Sequence, residues 1–396
     1  ILGEVYELAL TKGLLDEVFS RTDGDGNRKP LLANPALILG VKGANSGGYV
    51  DLDVDGNWWV PSGRVFFIPK TDATPSEELS FARKHFFLPV RFRDPFHEDA
   101  FHTEQVVVYD DYDLLIQEIR DAAGNRITAG ERDISGDLVR SGNDYRVLQP
   151  WLVMDPNRNR TAVVYDALGM VVASAVMGKP EESQGDSLDE NASGLTDGQI
   201  EVFMDDPLSD PQAILGTATS CMIYDLFAYR RTKDQPQPRP PVVCTISREK
   251  HQSDLQPGET TKVQISFTFS DGFGREIQRK LQAEPDPETG SPRWVGSGWK
   301  VYDNKGNTVR HFEPFFTSTH QFEADLRVGV SPVFFYDPLG RMAGVLHPNH
   351  TWEKFVVSPW HKQTWDVNDT VLIADPASDP DVGGYFQRLP AEWYLP

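Results

Sequence analysis

Short runs of apolar and β-branched residues, broken every few positions by Gly, Asp, Asn or Pro, fill most of this chain. Residues 161–164 and 171–176 lie on either side of Asp166-Ala167-Leu168-Gly169, and residues 263–269 precede Asp271-Gly272-Phe273-Gly274. Residues 333–335 and 342–346 flank Asp337-Pro338-Leu339-Gly340 in the same way. Runs of that length with turn residues between them read as strands joined in hairpins. The pattern predicts a mainly β protein, an antiparallel hairpin array with a few short helices. Residues 58–68 read as two strands separated by Pro61-Ser62-Gly63, and residues 86–92 as one strand ending before Asp94-Pro95. Helix signals are local. Thr74-Pro75-Ser76-Glu77 is a capping box with Pro at the first helical position, predicting a short helix to about Lys84; Thr196-x-x-Gln199 predicts a second through Phe203.

The turns share a unit, fullest in Tyr336-Asp337-Pro338-Leu339-Gly340-Arg341. Asp accepts backbone hydrogen bonds, Pro pre-sets one torsion, Gly takes the left-handed position, and Arg341-Met342 opens the returning strand. Tyr165-Asp166-x-x-Gly169, Asp271-x-x-Gly274-Arg275 and Tyr302-Asp303-x-x-Gly306 are relatives, and Arg120-Asp121-x-x-Gly124 lacks the Tyr. The Tyr ring is expected to pack into the sheet with its hydroxyl near the wet turn. One Asp-x-x-Gly alone is an ordinary surface turn; recurrence with Tyr before it and an apolar residue after it gives the unit weight. The residues assigned to these structural turns are Tyr165, Asp166, Gly169, Asp271, Gly274, Arg275, Tyr302, Asp303, Gly306, Tyr336, Asp337, Gly340 and Arg341. None of them makes a catalytic device. Spacing between copies is irregular, which excludes a fixed-period solenoid.

At 396 residues the chain has room for more than one domain. The expected division is a β segment over 1–177 with the short helix near 75–84, an acidic and Pro-rich insertion or connector over 178–241, and a second β segment over 242–396 carrying the fuller repeats. Residues 235–241 are prone to polyproline geometry. The chain opens at Ile1 in mid-pattern, so it reads as a piece of a longer polypeptide. A formal charge of −21 opposes phosphate backbones and anionic lipid, arguing against nucleic acid or membrane-surface partners. No apolar run has the length of a membrane span. Cys221 and Cys244 fit no zinc spacing and read as two buried thiols, with a disulfide left open for an exported protein.

Candidate chemistry is sparse. Asp51-Leu52-Asp53-Val54-Asp55-Gly56 matches half of a calcium loop, but Ser62 stands where the bidentate Glu belongs, and an acidic hairpin turn is the preferred reading. Asp23-Gly24-Asp25-Gly26-Asn27 is a weaker half-match. His347-Pro348-Asn349-His350 places two imidazoles three positions apart without a third ligand. Trp58, Trp59, Trp360 and Trp365 read as core and edge packing. The triplets at Asn191, Asn349 and Asn368 match the glycosylation acceptor pattern. No nucleophile elbow, phosphate loop or zinc-protease motif is present, so no metal or cofactor and no enzymatic activity are expected.

The hairpin unit resembles the tyrosine-aspartate (Rhs) repeat of bacterial polymorphic toxins and teneurins. Residues 57–67 (NWWVPSGRVFF), 82–94 (ARKHFFLPVRFRD), 112–120, 142–150, 165–180 and 298–316 extend the likeness. With 327–370, which carries VGVSPVFFYDPLGRMAGVLHPNHTWEKFVVSPW, the chain resembles the middle-to-C-terminal region of the B component of insecticidal Tc toxin complexes. The resemblance implies a piece of a hollow β cocoon in a secreted, extracellular toxin complex. There a C component carrying the toxic domain is the partner, and a pore-forming A component is reached through upstream regions not found here. Autoproteolysis belongs to the C component and is not carried over. Two other readings stand beside it: a secreted or cell-surface repeat protein for adhesion or contact-dependent competition, and a β-rich glycan hydrolase with two carboxylates facing a cleft.

Overall fold

Side chains that alternate in and out with period two define the strands most clearly where β-branched and aromatic residues are densest. In Ser220–Asp225 every second residue is buried, and in Val263–Ser270 Ile265, Phe267 and Phe269 face inward while the residues between them do not. The computed structural model describes residues 3–40, 47–98, 100–188 and 195–390. The triplet at Asn191 lies outside them. The fold is mainly β, built of antiparallel sheets with few helices, and divides into units Ile1–Ser187 and Leu188–Pro396.

In the first unit the sheet runs Glu4–Leu10, Trp58–Phe66, Arg91–Arg93, Gln105–Tyr109, Ile116–Arg120, Arg126–Arg132, Leu152–Met154, Arg160–Tyr165 and Val171–Met177, each antiparallel to the next. Consecutive pairing of this kind needs a tight turn at nearly every strand end, which is why turn chemistry dominates the sequence. Its later strands bury Leu152 and Met154 together with the small side chains Ala162, Ala173 and Ala175. Leu15, Leu39 and Trp58 form a satellite core beneath the short helices Lys12–Val18 and Pro35–Leu39.

Two strand expectations are corrected here. Trp58–Phe66 is one strand, because Pro61-Ser62-Gly63 forms a bulge rather than a break. Pairing slips from Tyr6↔Pro61 to Glu4↔Arg64, so Ser62 and Gly63 together oppose Val5, whose N–H donates to Ser62 Oγ at 3.1 Å. A side chain at Gly63 would strike the Arg93 carbonyl. The stretch 86–92 supplies only the start of the strand Arg91–Arg93. Phe86 and Phe87 sit at φ 53° and 57°, and the Phe87 N–H donates to Ala82 O at 2.8 Å, so these residues close the preceding helix instead.

The second unit holds two sheets. One runs Ser220–Asp225, Val242–Arg248, Val263–Ser270, Glu276–Ala283, Arg293–Gly296 and Phe315–Thr317. The other runs Lys300–Tyr302, Thr308–His311, Val333–Tyr336, Met342–Leu346, Trp352–Val357 and Lys362–Trp365. Residues 178–241 contain the helices Asp197–Asp205 and Pro211–Leu215, which bury Phe203, Met204 and Leu215, and the strand Ser220–Asp225, paired in register with Val242–Arg248. Phe267 packs edge-on to Trp294 at 5.6 Å between ring centres. The second sheet closes over Phe335, Leu346, Trp352, Val382 and Phe386. Both capping boxes form, over Pro75–Lys84 and Asp197–Asp205. Trp58 is buried, whereas Trp360 stands 93% exposed at a hairpin tip, contrary to the packing role expected of it.

Candidate functional site

The recurring structure is a five-residue turn. In Asp337–Arg341 the Asp337 N–H donates to Arg341 O at 2.9 Å and the Gly340 N–H returns to Asp337 O at 2.9 Å. Asp337 Oδ1 accepts the N–H of Leu339 and of Arg341, both at 2.9 Å, while Oδ2 accepts Arg341 Nε at 2.7 Å. One carboxylate thus satisfies two backbone N–H groups of the turn and one guanidinium N–H. Gly340 takes φ 80°, where a Cβ would be strained.

Asp271 repeats this geometry, accepting Phe273 N–H at 2.8 Å, Arg275 N–H at 3.0 Å and Arg275 Nε at 2.7 Å. Asp303 accepts Lys305 and Asn307 N–H at 2.8 and 2.9 Å, with Asn307 Nδ2 in place of the guanidinium. Asp166 accepts Leu168 and Met170 N–H at 2.8 and 2.9 Å, and Gly169, Gly274 and Gly306 all have positive φ. Partial burial pushes Asp271 up, but the backbone N–H and guanidinium of Arg275 outweigh it and hold the carboxyl below its ordinary range.

Where a Tyr precedes the Asp, it ties its hairpin to an earlier part of the chain. Tyr165 donates its hydroxyl to Pro150 O at 2.9 Å, Tyr302 to Glu276 O at 2.7 Å and Tyr336 to Thr308 O at 2.9 Å. Tyr302 therefore links the two sheets of the second unit, and Lys300 Nζ reinforces the link on Glu276 at 3.1 Å. Burial raises the Tyr165 and Tyr336 hydroxyls above the ordinary phenol value, with nearby Asp144 and Asp303 adding to it. Successive turns also touch: Arg275 lies 4.6 Å over the Tyr302 ring, and Lys305 Nζ donates to Pro338 O at 2.6 Å.

Further copies escaped the sequence reading. Asp133-Ile134-Ser135-Gly136 carries the plain pattern and the same hydrogen bonds. Asp155-Pro156-Asn157-Arg158 makes the turn with Arg158 at φ 69° in the glycine place. Asp23-Gly24-Asp25-Gly26, half-matched to a calcium loop, is this turn again, with Lys29 on the carboxylate at 3.0 Å. In the other calcium-like stretch, the Asp51 oxygens accept Asp55 and Gly56 N–H at 3.0 and 3.1 Å. His347 and His350 frame one more turn, with His347 Nε2 on Glu353 at 2.9 Å. Among the described residues no group of three or more His, Cys, Asp or Glu side chains could hold a metal ion.

Two lysines are buried in the second unit. Lys280 meets Glu323 and lies over the Phe315 ring; desolvation lowers its pKa, with Glu323 opposing. Lys354 bonds Asp379 and Asp381, both at 2.8 Å; burial pulls it down, but the two carboxylates more than compensate and hold it above the ordinary lysine value. Cys221 and Cys244 are buried thiols outside any disulfide, the Cys221 Sγ donating to Ile214 O at 3.5 Å; desolvation pushes Cys221 up to about 11 and raises Cys244 as well. Such thiols are inert. Among the described residues no helix is long and apolar enough to cross a membrane.

No protein-family model matches the sequence, and no curated protein matches it. Solved structures do. A crystal structure of TcdB2-TccC3 superposes over 83% of this chain with a TM-score of 0.53 at 22% identity, using 15% of that chain. The complex TcdB2-TccC3-Cdc42 matches over 82% with a TM-score of 0.53 at 20% identity. The Tc holotoxin pore of Photorhabdus luminescens matches over 83% at 0.52 and 19% identity. The chain therefore shares the fold found in Tc toxin B–C complexes, and spans 15–17% of the length of the chains it resembles.

Proposed function

We propose that this chain is a wall segment of an encapsulating subunit in a secreted bacterial toxin complex, that it encloses and helps deliver a toxic cargo domain, and that it is not an enzyme. The observation that carries the reading is the repeated turn, whose carboxylates are engaged by the N–H groups of their own backbone, in a fold shared with Tc toxin B–C structures. A container wall needs many hairpin turns, strands stapled to their predecessors and few mobile polar groups, and the Tyr–Asp unit supplies each.

The partner in this reading is a C component bearing the toxic domain. A pore-forming A component would receive the loaded shell through other parts of the polypeptide. The buried lysine pairs serve rigidity, since a buried cation is tolerated only when its carboxylate is held in place.

Co-expression of the polypeptide containing this chain with a C component tests the reading. A stable complex should co-purify through size exclusion and survive high salt. Independent elution of the two, or turnover of a glycan substrate by the purified chain, would overturn it.

A further inference from the structure

The helix Pro75–Lys84, the strand Gln105–Tyr109 and the turn after that strand border a half-enclosed cavity of about 360 Å³ in the first unit. That volume suits a small ligand. Much of the wall is apolar: Phe81 belongs to the helix, Leu88 and Val90 follow it, and Val106 and Val108 come from the strand. The polar lining is His85, Tyr109, Asp110, Asp111 and Asp113, and among the described residues no lysine or arginine joins it. Asp110 is engaged by its own surroundings, Oδ1 accepting Leu114 N–H and Oδ2 the Tyr145 hydroxyl, both at 2.8 Å. The Tyr109 hydroxyl reaches Pro89 O at 3.3 Å. Two groups stay open. Asp111 is exposed and carries no donor. His85 gives its Nδ1–H to Asp113 Oδ2 at 3.0 Å, its Nε2 has no partner, and 37% of its side chain is exposed. A carboxylate on Nδ1 fixes the proton there and leaves Nε2 of the neutral ring as an acceptor.

Charge selects the ligand. An anion would meet three carboxylates and no cation, and a neutral apolar molecule would draw nothing from Asp111. The complement of this lining is an ammonium group on an aromatic or aliphatic body. Its N–H groups donate to Asp111 and to His85 Nε2, while its carbon skeleton displaces water from Phe81, Leu88, Val106 and Val108. Phe81 stacks on the His85 ring at 4.0 Å between centres, so the imidazole is held from the helix side as well as by Asp113. We propose that this cavity binds a small organic ammonium ion, an arylalkylamine or alkylamine, with Asp111 as its charge partner and His85 as its hydrogen-bond acceptor. It does not depend on the encapsulation reading.

The test is calorimetric titration of the polypeptide containing this chain with phenethylamine, 2-phenylethanol and phenylacetate, at neutral pH and low salt. The three share a phenyl body and differ in charge. Phenethylamine should bind saturably, at least about tenfold tighter than the alcohol, and phenylacetate should bind weakest. Asp111→Asn keeps the side-chain volume and removes the charge. It should weaken phenethylamine by about threefold or more and leave 2-phenylethanol within about twofold. Leu88→Trp, which fills the cavity, should abolish the binding of both. Absence of phenethylamine binding, equal affinity for amine and alcohol, or phenethylamine affinity unchanged within about twofold in Asp111→Asn would overturn the proposal. So would tighter binding of Nα-acetyl-lysine amide than of phenethylamine, which would assign the cavity to a lysine side chain of a protein partner.

Discussion

The turns Asp271–Arg275 and His347–Thr351 share one backbone and differ in chemistry. The first residue's N–H donates to the fifth carbonyl at 3.0 Å in one and 2.8 Å in the other, and the fourth N–H returns to the first carbonyl at 3.1 Å in both. In the first turn a carboxylate gathers the inner N–H groups and Gly274 occupies the left-handed position at φ 76°. In the second no side chain of the first residue does so; Thr351 N–H turns to Asn349 Oδ1 at 3.2 Å, and His350 sits at φ 65° with a buried Nδ1 that has no partner. Loop length and antiparallel register therefore suffice to set the turn. The Asp and Gly make it cheaper to hold, which is how a degenerate repeat can drift in sequence and keep its geometry.

Removing the carboxylate from the better turn is the strongest way to break this comparison. Asp271→Ala deletes the acceptor of two backbone N–H groups and of the Arg275 guanidinium, and should cost about 1–2 kcal/mol after allowing for solvent screening. The denaturant midpoint of the second unit reads it, and an unchanged midpoint would show that the carboxylate is idle. Tyr336→Phe should cost about 1 kcal/mol by leaving Thr308 O without its donor. The same substitution at a hairpin tyrosine whose hydroxyl has no partner should cost nothing measurable.

His350→Gly should raise stability by about 0.5 kcal/mol, the relief of left-handed strain less the entropy gained by the unfolded chain. A loss would mean that the imidazole holds the turn. Acid gives the finest discrimination. The folded Asp271 carboxyl titrates below its unfolded value, so its stabilisation is complete above about pH 4 and disappears as pH falls through the lower folded value. The stability gap between the parent and Asp271→Asn should close over that range.

Local signals carried much of the structure. Thr74 and Thr196 each fix a helix start within four residues of sequence, and both helices form with their capping boxes intact. Turn chemistry at Asp166, Asp271, Asp303 and Asp337 is equally short-ranged. The failures come from partners distant in sequence. Whether Pro61-Ser62-Gly63 breaks a strand or bulges within it depends on Val5, far upstream. The aromatic run at 86–92 matches a strand by composition, yet the helix before it needed a closing turn. Arg158 hides a turn because pattern matching asks for glycine there.

Protection of the cargo tests the central claim most directly. A complex assembled from the polypeptide containing this chain and a C component with its toxic domain is exposed to a broad-specificity protease, and the survival of that domain is followed with time. The account predicts that the domain outlasts the same domain free in solution and is digested once acid or denaturant opens the shell. Digestion at the free rate in the intact complex would contradict it.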